Sequence, residues 1–131
     1  MAAPDGLVIH PTQRTQQSAV ASVLASLAAH KVPLIARIDH QAAGAAIGLS
    51  LPPTEVLIFG NAKAGTPLMQ ASRSIALDLP LRLLVQTIDG VTRLSYNDPA
   101  WLAARHNLPD ATAPTVQAMR ELLTTIVADA I

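Results

Sequence analysis

An Asp-Gly pair between two strand-like segments constrains this fold more than any other feature of the sequence. Asp89-Gly90 lies in the short connection between residues 81–87 and 91–96, both of which are predicted strands. Such a pair favours a two-residue hairpin turn, because Asp and Gly readily adopt the positive φ that the turn requires. The sequence therefore predicts two neighbouring antiparallel strands, on which the rest of the chain must pack.

The remaining long elements are predicted from hydrophobic periodicity. Apolar residues recur with the helical period in two segments, residues 15–30 and 114–130. Short β-branched or alternating segments predict three more strands, at residues 6–10, 34–39 and 54–59. Antiparallel strands with helices on one face make an α+β fold, a two-layer sandwich. We expect residues 1–131 to form a single domain.

Shorter helices are predicted where a capping residue precedes proline. Thr66-Pro67 predicts a helix through about residue 73, and Asp98-Pro99 predicts one through about residue 106. Thr and Asp accept hydrogen bonds from a helix N-terminus, and proline suits the first helical position. Residues 41–49 are rich in alanine and glycine and predict only one or two weak helical turns.

The second face of the predicted sheet is also apolar, although a two-layer sandwich needs only one apolar face. Depending on the register, the residues on this face are Leu57, Phe59, Leu84, Leu94 and Tyr96. Another molecule should cover them. A partner subunit is the first expectation and a ligand is the second, so the sequence predicts a homodimer with a possible small-molecule ligand.

Composition argues against several classes of function. Nine basic and nine acidic residues give zero net charge, and only three residues are aromatic, so neither nucleic acid nor a membrane is an expected partner. The absence of cysteine excludes thiol catalysis and disulfides. The four histidines lack the paired spacing of a zinc site. We therefore expect no metal and no cofactor.

The compartment stays open between two alternatives. The first residues lack the charged and apolar regions of a signal peptide, which predicts a cytoplasmic protein as the sequence stands. The small residues directly after Met1 allow the alternative that a leader has been removed, which would place the protein in the periplasm.

Several spaced motifs resemble one known family over nearly the whole chain. They are Arg37-Ile38-Asp39-His40, the stretch from Phe59 to Gln70, Asp78-Leu79-Pro80-Leu81 and Ser95-Tyr96-Asn97-Asp98-Pro99. Together they resemble the bacterial and archaeal domain of unknown function 302. The resemblance implies a β-α-β(4)-α fold and no established activity. Many members carry cysteine in a Cys-Asn-Pro pattern where this chain has Gly60-Asn61-Ala62, so a thiol-based role is not expected here.

Polar side chains follow three of the predicted strands and define the candidate ligand site. They are Asp39, His40, Asn61, Lys63, Thr66, Tyr96, Asn97 and Asp98. If these segments converge on one rim of the sheet, Asn61 and Lys63 would bind polar or anionic groups. Tyr96 would supply a hydroxyl group, and His40 would be the proton carrier near neutral pH. The leading hypothesis is a small-ligand binding domain that acts as a homodimer.

Two hypotheses from other classes remain open. One is an enzyme that uses His40 with Asp39 or Asp98 in acid-base chemistry, and the other is a purely structural or interaction module. A phosphate-binding loop at residues 60–66 is disfavoured, because no lysine follows the second glycine. His106 is interpreted as a cation at a helix end, and Ser74 lies in no sequence context that indicates activation.

Overall fold

A computed structural model describes residues 4–131 of the chain. The small residues directly after Met1, on which the alternative of a removed leader was based, lie outside the described residues. The strands are β1 (Leu7–Thr12), β2 (Leu34–Asp39), β3 (Thr54–Phe59), β4 (Leu81–Ile88) and β5 (Val91–Asn97). The helices are α1 (Gln16–Ala29), α2 (His40–Ala46), α3 (Ala62–Ala71), α4 (Pro99–Arg105) and α5 (Ala113–Ala130). Two 3₁₀ segments span Arg73–Leu77 and Asp110–Thr112.

The five strands form one antiparallel sheet in the order β1-β5-β4-β3-β2. The predicted hairpin lies at its centre, where Ile88 pairs with Val91 and both Asp89 and Gly90 have positive φ. This is the turn geometry that an Asp-Gly pair favours. The α+β fold with an antiparallel sheet is confirmed.

Helices α1 and α5 pack over one face of the sheet and bury its apolar side chains. The stripe predicted for α5 is buried throughout, from Val116 to Ala130. On α1 the buried apolar residues are Ala19, Val20, Val23 and Leu27. The core therefore consists mainly of aliphatic side chains, with Phe59 as its largest fully buried residue. Full burial of one such side chain stabilises the fold by about 1.5–3 kcal/mol.

The register decides which apolar residues face away from the helices, and the outcome differs from the expectation. Leu57 pairs with Leu83 and Val85 pairs with Leu94, and these residues lie in the core together with Phe59 and Tyr96. Of the five residues expected on the second face, only Leu84 lies there. It pairs with Val56 on one side and Ser95 on the other.

The face that points away from the core nevertheless has an apolar middle, flanked by Arg82 on one side and by Gln86 and Arg93 on the other. One row crosses all five strands at the middle of the sheet and contains Ile9, Ser95, Leu84, Val56 and Ile38. Ile9 and Ile38 are each 41% exposed, and Val56 and Leu84 are partly exposed. We call this row the open-face row.

Helix α3 begins five residues earlier than predicted. Asn61 is its N-cap and accepts a hydrogen bond from the Ala64 amide at 3.0 Å, which leaves Pro67 inside the helix. Asparagine caps helices at least as well as threonine, so the helix starts at Asn61 and not at the predicted Thr66-Pro67 pair. Strand β1 also runs through Pro11. Proline is tolerated there because β1 is an edge strand.

Candidate functional site

An apolar cavity of about 270 Å³ lies between the N-terminal half of α3, the segment from Leu79 to Leu81, and α5. Met69, Met119 and Leu122 form much of its wall, and Ile35 of the edge strand β2 closes one side. Small residues at the start of α3, including Ala64 and Gly65, let the helix pass over the cavity without filling it. A well-formed apolar cavity with a few polar groups at its rim is the usual form of a ligand site.

Asn61 and Thr66 are the two predicted site residues that line this cavity. The Asn61 side-chain oxygen caps α3, so the hydrogens of its amide nitrogen remain available to an acceptor. Lys63 is exposed on the same helix but does not line the cavity. The cavity therefore offers hydrogen-bonding groups at its rim and no charged side chain in its lining.

Tyr96 and Asp98 lie in a separate groove, beside α5. The Tyr96 ring stacks on His10 with the ring centroids 6.2 Å apart. The Asp98 carboxylate accepts a hydrogen bond from the Ala100 amide at 2.9 Å and pairs with Arg120 at 3.0 Å. Asn97 is exposed at the end of β5, opposite Leu7. Asp98 therefore has the capping role predicted for it and a second role that joins α4 to α5.

Asp39 and His40 lie at the opposite end of the sheet from Asn61. Asp39 pairs with Glu55 near the start of β3, whereas Phe59, at the other end of β3, pairs with Leu81. The Asp39 carboxylate caps α2 by accepting from the Ala42 amide at 2.9 Å. The predicted single rim does not form, because neighbouring antiparallel strands end at opposite edges of a sheet.

A Ser–His–Asp arrangement occurs where no site was predicted from the sequence. His106 lies just after α4, and its Nδ1 atom is 2.8 Å from the Ser74 hydroxyl oxygen. Its Nε2 atom is 2.5 Å from Asp78 Oδ2. The imidazole side chain is only 6% exposed and the Asp78 carboxylate is 15% exposed. Arg105 adds a hydrogen bond to the same carboxylate oxygen at 2.8 Å.

This arrangement had no signal in the local sequence. Ser74 and Asp78 belong to the 3₁₀ segment after α3 and its C-cap, a segment that was not predicted. His106 lies 28 residues beyond Asp78. His106 does lie at the end of α4, as predicted, where it is the C-cap residue. The contacts of its ring with Ser74 and Asp78 were not predicted. Asp78 did stand within one of the quoted family motifs.

Two further observations concern membranes and metals. Within residues 4–131, no helix has both the length and the apolar character that crossing a bilayer requires. In the same part of the chain, no group of three or more His, Cys, Asp or Glu side chains is placed to hold a metal ion.

The fold and the cavity define an α+β domain with an open antiparallel sheet. The chain belongs to the family described as Domain of unknown function DUF302, whose model matches residues 8–126. It is also similar to a solved structure, the uncharacterized conserved protein DUF302 from Bacillus stearothermophilus. The TM-score is 0.86 at 14% identity, over 98% of this chain and 100% of that one. The family resemblance and the fold expected from it are confirmed.

Among curated proteins, the similar ones include two Brucella proteins named as fluoride-specific ion channels. FluC 1 of Brucella suis biovar 1 (strain 1330) is 41% identical over 115 residues, which cover 87% of this chain and 45% of that protein. FluC 1 of Brucella abortus biovar 1 (strain 9-941) is also 41% identical over 115 residues, and 43% of its length is covered. The chain thus spans less than half the length of these relatives.

Proposed function

We propose that this chain is a small-ligand binding domain that acts as a homodimer. The observation that carries the proposal is the apolar cavity beneath α3, with Asn61 and Thr66 at its rim. A dry cavity of 150 Å³ is large enough for benzene, so about 270 Å³ leaves room for a ring with a substituent. The ligand is expected to be small, uncharged and largely apolar, with one acceptor group for the Asn61 amide.

Methionine methyl groups provide a direct test of this site, because Met69 and Met119 both line the cavity. Phenol, a ring with one hydroxyl group, should shift the NMR signals of both methyl groups in isotope-labelled protein. Ala64→Phe should fill the cavity and weaken phenol binding by about tenfold or more, since overpacking a filled site costs 1–3 kcal/mol. The titration is followed by the two methyl shifts.

The matched control is Lys63→Phe, which adds the same ring one residue away on α3, outside the cavity lining. It should leave phenol binding unchanged. Methyl signals that do not move in the original protein, or that move equally in both variants, would contradict the proposed ligand site.

The homodimer is proposed from the open-face row. One face of a five-stranded sheet, with strands about 4.8 Å apart and about 20 Å long, has a flat area of roughly 500 Å². The side chains that project from it increase the accessible area further. The flat area is of the same order as the roughly 800 Å² that each partner buries in a standard interface. The row itself carries no charged side chain. Two arginines flank it on the same face, Arg93 of β5 and Arg82 of β4, and Arg82 is held towards the Leu77 carbonyl at 3.1 Å. A second copy of the same face would cover this surface.

A second candidate function comes from the 41% identity to the proteins named as fluoride-specific ion channels. We propose that a domain of this kind regulates such a channel from outside the bilayer. An open sheet has two unpaired edges, here β1 and β2, and unpaired edges do not occur in the hydrocarbon region of a membrane.

This second candidate is tested in liposomes that contain the Brucella suis protein. Fluoride efflux is measured for the intact protein, for a form that lacks the matched segment, and for a form with residues 8–126 of this chain in its place. The shortened form should still conduct, with a rate changed about fivefold or more, and the exchanged form should restore the rate. Efflux that is lost entirely, or that does not change, would contradict a regulatory role.

A further inference from the structure

We propose that Ser74 is a nucleophile activated by His106, and that this chain cleaves small activated esters. Neither residue lines the apolar cavity. The proposal rests on the order of two contacts: the Ser74 hydroxyl is on one ring nitrogen of His106, and the Asp78 carboxylate is on the other. Nucleophile, base and orienting carboxylate in this order are recognised by geometry rather than by sequence position.

The hydrogen-bond partners assign the proton positions on His106. An ionised carboxylate only accepts, so Nε2 carries the proton that is donated to Asp78. In the neutral ring, Nδ1 then has a free lone pair that faces the Ser74 hydroxyl at 2.8 Å. Serine and aspartate occupy the opposite nitrogens from those of serine proteases, but each plays the same role. His106 is therefore set to accept the Ser74 proton.

The ring is fixed from its backbone as well as from its side chain. The His106 amide donates to the Leu102 carbonyl at 3.1 Å, and its carbonyl accepts from the Ser72 hydroxyl at 2.7 Å. Arg105 neutralises part of the Asp78 charge and lies over the Trp101 ring, 5.8 Å from its centroid. A base held from several sides keeps its orientation towards the nucleophile.

A second Ser–His–Asp cluster in the molecule shows which arrangement would not activate a serine. Ser26 donates to Asp129 at 2.7 Å, and His30 Nε2 lies 3.3 Å from the same oxygen. Both hydrogen bonds lower the pKa of Asp129, and the bond from Ser26 has the larger effect. Because the carboxylate lies between the other two groups, the imidazole cannot take the serine proton. That cluster joins α1 to α5.

Access and neighbours indicate the class of substrate. Ser74 is exposed, whereas the base behind it is buried. Residues three apart lie on one face of a 3₁₀ helix, so Leu77, which is 69% exposed, offers an apolar surface beside Ser74. The site lies on an open surface, which suits a short acyl group on a good leaving group.

The reaction balances with water as the second substrate. Ser74 Oγ attacks the ester carbonyl carbon while its proton moves to His106 Nδ1. The carbon–oxygen bond to the leaving group then breaks, and the proton passes from Nδ1 to the departing oxygen to give the alcohol. Water attacks the acyl-Ser74 ester and gives its proton to Nδ1, and that proton returns to Ser74 as the acid leaves.

The test uses a fluorophosphonate probe and p-nitrophenyl acetate on the full chain. Intact mass and peptide mapping should place one probe adduct on Ser74. Ser74→Ala should lose the adduct, and ester hydrolysis should fall about 100-fold or more, because removing the nucleophile also removes the proton transfer to His106, which contributes about 100-fold or more. Since the chain has no cysteine, no thiol contributes to either signal.

Two further variants separate activation from structure. Ser50→Ala is the matched control, because Ser50 is an exposed serine between α2 and β3 with no contact to His106 in the hydrogen-bond network of the cluster, and it should keep the Ser74 adduct. His106→Gln should retain the fold, as judged by circular dichroism, and slow the labelling of Ser74. If it does not fold, Asp78→Asn replaces it, with labelling rate as the readout. An adduct elsewhere, or unchanged hydrolysis by Ser74→Ala, would show that the three residues only tie the 3₁₀ segment to α4.

Discussion

Replacing Leu84 with aspartate should convert the proposed homodimer into a monomer. Leu84 lies at the centre of the open-face row, on the middle strand of the sheet. A carboxylate there would be removed from water in the dimer, which carries an effective penalty of several kcal/mol per ion. Because each 1.4 kcal/mol is tenfold in affinity, the dissociation constant should rise by more than about 100-fold. Sedimentation velocity over a range of concentrations measures this change.

The control for this prediction places the same charge in the helix layer. Ile131 follows α5 and is 50% exposed, so Ile131→Asp should remain a dimer. Circular dichroism checks that both variants are folded. If the original protein is a monomer at high concentration, or if Leu84→Asp stays a dimer, the second copy does not cover this face.

Replacing Gly6 with alanine should lower the free energy of unfolding by about 2–5 kcal/mol. Gly6 has a φ of +78°, and an added Cβ atom would lie 2.3 Å from a ring carbon of Trp101. The left-handed conformation alone costs a residue with a side chain about 1–2 kcal/mol, and overpacking adds about 1–3 kcal/mol. The Gly6 carbonyl also accepts a hydrogen bond from the Asp98 amide at 2.7 Å, so movement there disturbs the start of α4. Urea denaturation measures the loss.

Gly48 is the matched control because its φ of +77° is nearly the same, while no atom lies within 4 Å of its added Cβ. Gly48→Ala should therefore show only the conformational cost of about 1–2 kcal/mol. Equal losses in the two variants would mean that contact with Trp101 contributes nothing to the effect at Gly6.

Much of the fold was predictable because it follows from short-range chemistry. Strands β2 and β3 have the bounds that alternation indicated, and Asp98 caps α4 as expected. The Asp89-Gly90 turn depends only on the two residues that form it. The start of α3 was missed because two capping signals compete within five residues, and Asn61 caps the helix.

The candidate site was less predictable, because it depends on which strand ends meet. Asn61 and Thr66 share one cavity since both belong to one helix. Asp39 follows a strand just as Asn61 does, yet the antiparallel register places it at the far end of the sheet. Sequence order alone does not contain that register.

The sequence was sufficient to predict the features that depend only on residues close together in the chain. These are the hairpin, the apolar stripe of α5, the capped start of α4 and the motifs of the family. Tertiary structure was needed to show which sheet face stays open, where a cavity remains beneath α3, and that Ser74, His106 and Asp78 are in contact. The physical reason is that these features come from packing between segments far apart in the chain, where strand register and helix position decide which side chains meet.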